Sequence, residues 1–451
     1  MFLNSSTNDE LMKIDLQTAE ELELLKDNSN SLSIFELIDF TSTPGGKYKL
    51  KSLFRKPLSD TNSIIKHQEA VKFIQSDIDL WTLPLNAELA DKLDVYYFSA
   101  SATSLSKNVF TRFIESITYR FIYKDFSKTF VLGTKNLIYF LKNLKKFRKS
   151  FNTHFPELLE KYFNRIDEVF KLPEIIKVFD IELINKISNT ELLYFDKLFR
   201  EKYKTEILEL IDIVYEFDVL IAQAKANIKY NLNFPEFIKA EAPVFDVEGL
   251  YHLFVKNPVN NSLSFSDNKN FVFLTGPNMA GKTTFLKSCG LAVFMAHIGM
   301  GVPASSLKIT YFDRLFTSLN ISDNLPKGYS YFYSEVRRVK EMAEMLHQSK
   351  SAFIIFDELF KGTNVKDAYE GSLQIIQRMC RWENNLFMLS SHLLELGENL
   401  QAEKSIRFLY FDSLVKNGKP EFNYQLKTGL SDERLGMLIL ENEGVFDLLE
   451  R

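Results

Sequence analysis

Phe271-Val-Phe-Leu-Thr-Gly276-Pro277-Asn278-Met279-Ala280-Gly281-Lys282-Thr283-Thr284 is an apolar run, a glycine-bounded loop and the start of a helical pattern that continues Phe-Leu-Lys-Ser-Cys289. The loop fits G-x-x-x-x-G-K-[ST], and the order strand, loop, helix is the one a phosphate cradle requires. Gly276 and Gly281 let the backbone N–H groups between them turn inward around phosphate oxygens, and the helix N-terminus adds partial positive charge. Lys282 is expected to reach the β- and γ-phosphates, and the Thr283 hydroxyl to ligate magnesium. The stretch predicts a nucleoside triphosphate site.

Three further segments fit the same chemistry. The apolar run Ala352-Phe-Ile-Ile-Phe356 ends in Asp357-Glu358. Asp357 suits the magnesium shell, and Glu358 suits orienting or deprotonating an attacking water. A single acid there fits kinases and GTPases; the acid pair favours a hydrolase. Gly328-Tyr-Ser330 precedes an amphipathic pattern of Val336, Val339, Met342, Ala343 and Leu346. Ser330 reads either as a helix N-cap or as a second anion contact. Leu386-Phe-Met-Leu-Ser-Ser391 ends in His392, placed to sense the γ-phosphate or bond the lytic water, although a lone histidine is more often structural.

Composition narrows the class. The 451 residues exceed one compact core, so two or three domains are expected. A net charge of −4 with a 45% apolar fraction argues against a generic polyanion binder, so a nucleic-acid contact needs a local basic surface. Cys289 and Cys380 are too few for a disulfide framework or a four-cysteine zinc site and suit a reducing cytoplasm. Met1-Phe-Leu-Asn-Ser-Ser lacks the pattern of a signal peptide. No run approaches the ~20 apolar residues of a membrane helix. The 41 phenylalanines read as core filling.

Glycine is absent between Gly133 and Gly249, and apolar residues there recur three and four apart. Leu137, Leu141, Leu144, Phe147 and Phe151 form one stripe; Leu198, Ile207, Ile211, Val214 and Ile221 belong to another. A continuous helix from about Glu191 to Tyr230 would be roughly 60 Å long, a coiled-coil-like arm or lever; the alternative is a helical bundle broken by unmarked loops. After Pro235 short β-type runs alternate with helical segments, as in an α/β domain with a mainly parallel sheet. The expected division is a helical domain over 1–106, long lever helices over 107–235, and the nucleotide domain over 236–451.

Taken together these segments resemble the DNA mismatch-repair MutS family. The family text T-G-P-N-M-x-G-K-[ST]-T is matched from Thr275 to Thr284, with Ala280 where glycine is usual. Its D-E-[IL]-x-x-G-T is matched by Asp357-Glu-Leu-Phe-Lys-Gly-Thr363, with Phe360-Lys361 in place of the more usual G-R. Ala296-His-Ile-Gly299, Val302-Pro-Ala304, Phe312-Asp-Arg-Leu-Phe-Thr317 and a late block from Tyr424 to Gly436 also follow it. In the first half Asp15-Leu-Gln-Thr-Ala-Glu-Glu-Leu-Glu-Leu24, Thr43-Pro-Gly-Gly46, Leu53-Phe-Arg-Lys-Pro-Leu-Ser-Asp60 and Glu216-Phe-Asp-Val-Leu220 resemble the family's core and lever. The resemblance implies a P-loop ABC-type ATPase domain behind an all-α core and lever, using ATP and Mg2+. It also implies a homodimer with composite ATP sites, with Ser330 acting in trans and Tyr424 packing on adenine. The family text begins here at the core domain, so mismatch recognition is not expected to carry over.

Lys142, Lys145 and Lys149 fall on one side of a helical pattern, opposite Leu141 and Leu144. That stripe reads as non-specific DNA contact or as an ordinary solvated face. Two functions stay open: an ATPase coupled to DNA binding, and an ATP-switched scaffold that binds protein and not DNA. A small-molecule kinase is the weaker third, because paired acids suit water as nucleophile.

Overall fold

A computed structural model describes residues 11–25, 32–58, 60–98, 124–151, 153–265, 269–320, 331–416, 419–431, 440–442 and 444–449. Among these, residues within Met1–Leu37, Leu53–Ile65 and Asn227–Arg451 form one compact unit, and those within Ile38–Ser52 and Lys66–Ala226 form a second.

The first unit is built on a seven-stranded sheet. Its strands are β1 (Lys13–Ile14), β5 (Phe271–Thr275), β7 (Arg314–Ser318), β8 (Ala352–Asp357), β9 (Leu386–Ser390), β10 (Ile406–Lys416) and β11 (Lys419–Thr428). The order is β1-β7-β8-β9-β5-β10-β11, with every pair parallel except β10 and β11. Strands β5, β8 and β9 are buried along their whole length, which is why they read as continuous apolar runs and not as alternations. A smaller sheet, β2 (Glu236–Phe237), β6 (Ser306–Ile309), β3 (Phe245–Leu250) and β4 (Asn261–Ser264), pairs in that order. The helix Lys282–His297 is apolar almost all round and, Lys287 apart, buried from Phe285 onward, a central helix and not an amphipathic one.

The expected boundary at 106 lies outside the described residues, and the second unit ends at Ala226, short of the expected 235. Residues near the start of the chain pack with the sheet because their polar groups are consumed there. Asp15 caps the helix Leu16–Glu21 through the Thr18 amide at 2.7 Å. Glu21 then accepts from the amides of Leu319 at 2.9 Å and Asn320 at 3.1 Å, and from the Thr317 hydroxyl at 2.5 Å. Arg338, buried on the helix Tyr331–Leu346, meets Asp15 at 2.7 Å and lies 3.7 Å over the Phe316 ring.

The second unit is helical. All five members of the first predicted stripe are buried, as are Leu198, Ile207, Ile211, Val214 and Ile221 of the second. Trp81, Phe147, Phe151, Phe163 and Phe217 form one aromatic cluster with ring centroids 4.6–6.2 Å from Trp81. The predicted unbroken helix from Glu191 to Tyr230 is instead Asn189–Lys197, a π-turn at Leu198–Lys202, and Lys204–Tyr230. The break falls at Tyr203, whose amide bonds Leu198 at 2.7 Å across five residues and whose hydroxyl is drawn to Glu174. The final segment has 27 residues, so its length is about 40 Å.

Candidate active site

The loop between β5 and the helix Lys282–His297 closes in the conformation its glycines permit. Gly281 sits at φ 101° as the residue before the helix, and Gly276 at φ 136°. A Cβ on Gly276 would stand 2.8 Å from the Phe411 carbonyl oxygen, so both backbone angle and space require glycine there. Met279 also adopts a positive φ and is three-quarters exposed, whereas Ala280 is buried.

Lys282 is buried and donates to the carbonyls of Gly276 at 2.8 Å and Pro277 at 2.9 Å, with the His392 ring nitrogen 3.4 Å away. Burial pushes its ammonium below the usual lysine value, and Asp357 and Glu358 oppose that push. The Thr283 hydroxyl donates to Asp357 Oδ2 at 2.6 Å, while Ser390 Oγ, on the neighbouring strand β9, donates to Oδ1. Two oxygens of suitable hardness therefore converge beside the loop, which fits a magnesium ion.

Glu358 leaves β8 at φ 65°, and its amide bonds the Ser390 carbonyl at 3.0 Å. Its Oε1 lies 2.9 Å from His392 Nε2, and Lys361 Nζ lies 3.8 Å from Oε2. Burial pushes the carboxyl up; the His392 hydrogen bond and the Lys361 charge outweigh it, and the net position is below the ordinary glutamate value.

These groups line one cavity of about 610 Å³, of a size that small-molecule sites occupy. Asn278, Met279, Gly281, Lys282, Thr283 and Thr284 face it from one side. Asp357, Glu358, His392 and Tyr424 line it as well. Tyr424 adopts φ 56°, and its ring comes within 3.4 Å of the position a Cβ on Gly281 would take. Of the residues predicted from sequence, Ser330 lies outside the described residues. Gly276, Pro277 and Ala280 shape the loop without lining the cavity.

Three residues that sequence reasoning left without a role belong to this site. Asn261 uses both ends of its amide on β11, donating to the Tyr424 carbonyl at 3.0 Å and accepting from the Leu426 amide at 2.8 Å. Ser390 carries no signal beyond its place at a strand end. Lys361 is visible in sequence as three residues from Glu358, a spacing that makes a contact possible. Two of the three lysines of the predicted basic stripe, and the neighbouring Arg148, make contacts within their own unit, while Lys149 is exposed. Lys142 donates to the Ile181 carbonyl, Lys145 sits 3.8 Å over the Phe179 ring, and Arg148 pairs with Asp167 at 2.9 Å.

Among the described residues no helix is long and apolar enough to cross a membrane. The family model for MutS domain V matches residues 272–447, and that for MutS domain III matches residues 17–224. Two proteins described as DNA mismatch repair protein MutS, from Thermotoga sp. and Thermotoga maritima, are each 30% identical over 297 residues, 62% of this chain and 36% of theirs. The protein of the same description from Bacillus subtilis is 30% identical over 269 residues, 58% of this chain and 31% of its own. The chain thus spans about a third of the length of the curated relatives it matches. Both halves of the sequence align with one family, and the chain is a MutS-related protein.

Proposed function

We propose that this chain is a P-loop ABC-type ATPase of the MutS family, acting in the cytoplasm, that couples binding and hydrolysis of Mg·ATP to DNA binding in repair or recombination. The observation that carries the reading is the convergence of Lys282, the Thr283–Asp357 pair and the Glu358–His392 pair on one cavity. Lys282, Asn278 and the Gly276–Gly281 backbone hold the triphosphate. Thr283 and Asp357 hold magnesium, which supplies neutralising charge at the phosphates when bound. Glu358, ionised and oriented by His392, positions the attacking water and takes up its proton. Tyr424 packs on the base. Ser330 completes the site of a second copy, so the working form is a homodimer with composite ATP sites.

Phosphate release measured with and without duplex, mismatched and branched DNA tests it. Hydrolysis stimulated by at least one DNA form is the expected result. Absence of hydrolysis with magnesium present overturns the ATPase reading.

The second reading is an ATP-switched scaffold that binds protein and not DNA. It is favoured by the engagement of Lys142, Lys145 and Arg148 in contacts within their own unit, which leaves fewer cations for phosphates. ATP hydrolysis indifferent to every DNA form at low salt selects it.

A further inference from the structure

Glu335 is 4% exposed on the first turns of the helix Tyr331–Leu346, and its carboxylate contacts neither the phosphate loop nor the acid pair. Its two oxygens accept from two successive backbone amides, Lys361 at 2.9 Å and Gly362 at 3.1 Å. Those amides belong to the loop that leaves Glu358, and the Lys361 ammonium is one of the charges facing Glu358. A carboxylate shared by adjacent N–H groups fixes the peptide plane between them as well as its distance.

The same loop is held to the same helix by packing. Phe360 adopts φ 61°, a left-handed conformation that a bulky side chain seldom takes, and its buried ring meets Phe332 edge-on at 5.6 Å. A Cβ on Gly362 would stand 2.5 Å from the Tyr331 ring and 2.8 Å from the Phe332 nitrogen. The backbone of the loop thus lies directly on the first turn of the helix. Any displacement of this helix must drag the Lys361–Gly362 peptide with it, because both oxygens of Glu335 and the Phe332 ring move as one body.

We propose that Glu335 is a positioning residue: it clamps the Lys361–Gly362 backbone to the helix Tyr331–Leu346, so that the position of the helix sets the position of Lys361 and Glu358. The proposal rests on the ATPase reading above and adds a mechanical link behind the hydrolytic carboxylate.

The test compares Glu335→Ala and Glu335→Gln with the wild-type chain in three measurements: ATP turnover, affinity for a non-hydrolysable Mg·ATP analogue, and amide exchange over 358–364. For Glu335→Ala, turnover is expected to fall by about 10- to 100-fold, the cost of a misplacement of about 1 Å. Analogue affinity is expected to stay within about two-fold of wild type, since the phosphate loop is untouched. The Lys361 and Gly362 amides are expected to lose protection. Glu335→Gln keeps one acceptor and turns an NH2 group toward the other amide, so it should fall between the two. It preserves side-chain volume and serves if the alanine variant does not fold. Wild-type turnover in both variants overturns the proposal, as does parallel loss of turnover and analogue affinity. A wild-type chain that binds the analogue without turning over ATP sinks the ATPase reading instead, and amide exchange then decides the clamp by itself.

Discussion

His392 Nε2 stands 2.9 Å from Glu358 Oε1, although the two residues leave different strands, β9 and β8. Parallel pairing of Asp357 with Ser390 brings both strand ends to the same level of the sheet. The contact explains how a carboxylate one residue past a strand points at the cavity and stays ionised there: a partner on the adjacent strand holds one oxygen and Lys361 faces the other. The acid pair then divides its work, because Asp357 is engaged by Thr283 and Ser390 while Glu358 turns toward His392.

Glu358→Gln removes the charge and keeps the shape. ATP hydrolysis should drop by about 10²- to 10⁴-fold, with Mg·ATP still bound and a dimer trapped. Single-turnover phosphate release together with mass in solution checks this; unchanged turnover would falsify the role given to Glu358.

Asn261 holds Tyr424 in its left-handed conformation through the backbone on either side of Gln425. Asn261→Ala should weaken ATP binding by about five-fold, for a loss of about 1 kcal/mol, and leave tripolyphosphate binding unchanged. Equal weakening of both ligands would show that Asn261 supports the phosphate loop and not the base.

Arg338 joins Asp15, Thr18 and the Thr317 carbonyl at the end of β7. Arg338→Leu removes one donor from each of those acceptors and leaves Asp15 without its cation, and the unit should lose about 3 kcal/mol. Asp15→Asn should cost less, because the Asp15 side chain is 40% exposed. Denaturant midpoints of the two variants, with slopes compared, decide the order.

His297 is fully buried, and burial pushes its pKa from 6.5 down to about 4. Its Nδ1–H donates to the Val293 carbonyl at 2.7 Å, which leaves Nε2 to accept from the Phe312 amide at 3.0 Å. Protonation would put a hydrogen where that acceptor is needed. With the folded value depressed, the unfolded chain binds more protons between the two pKa values. The stability is complete above about pH 6.5 and is lost as pH falls toward 4, at about 2 kcal/mol by pH 5. His252, pushed to about 4 by burial and by Lys287, adds loss of the same sign. Melting temperatures across that range should decline on acidification, and His297→Gln should flatten the decline; a profile as steep as wild type's would refute it.

Much of the site was legible because its parts are local. Glycines at 276 and 281 satisfy a backbone requirement within one loop, and the acid pair is adjacent in the chain to the strand that carries it. The helical stripes from Leu137 to Phe151 were legible for the same reason, since periodicity reports a buried face without naming its partner. The break at Tyr203 was not, because the π-turn there and the Tyr203 contact with Glu174 belong to the folded chain and leave no periodic trace in the sequence.

The amino-acid order by itself determined the strand–loop–helix around Lys282, the strand that delivers Asp357 and Glu358, and the family to which the chain belongs. Tertiary structure alone decided which polar group answers which. Asn261 meets Tyr424 across 163 residues, and Arg338 meets Asp15 across 323. It also decided that Lys142 and Lys145 serve their own unit. The physical reason is that torsional preference and burial pattern act over a few residues, whereas a buried donor is matched to whatever acceptor the closed chain brings within about 3 Å.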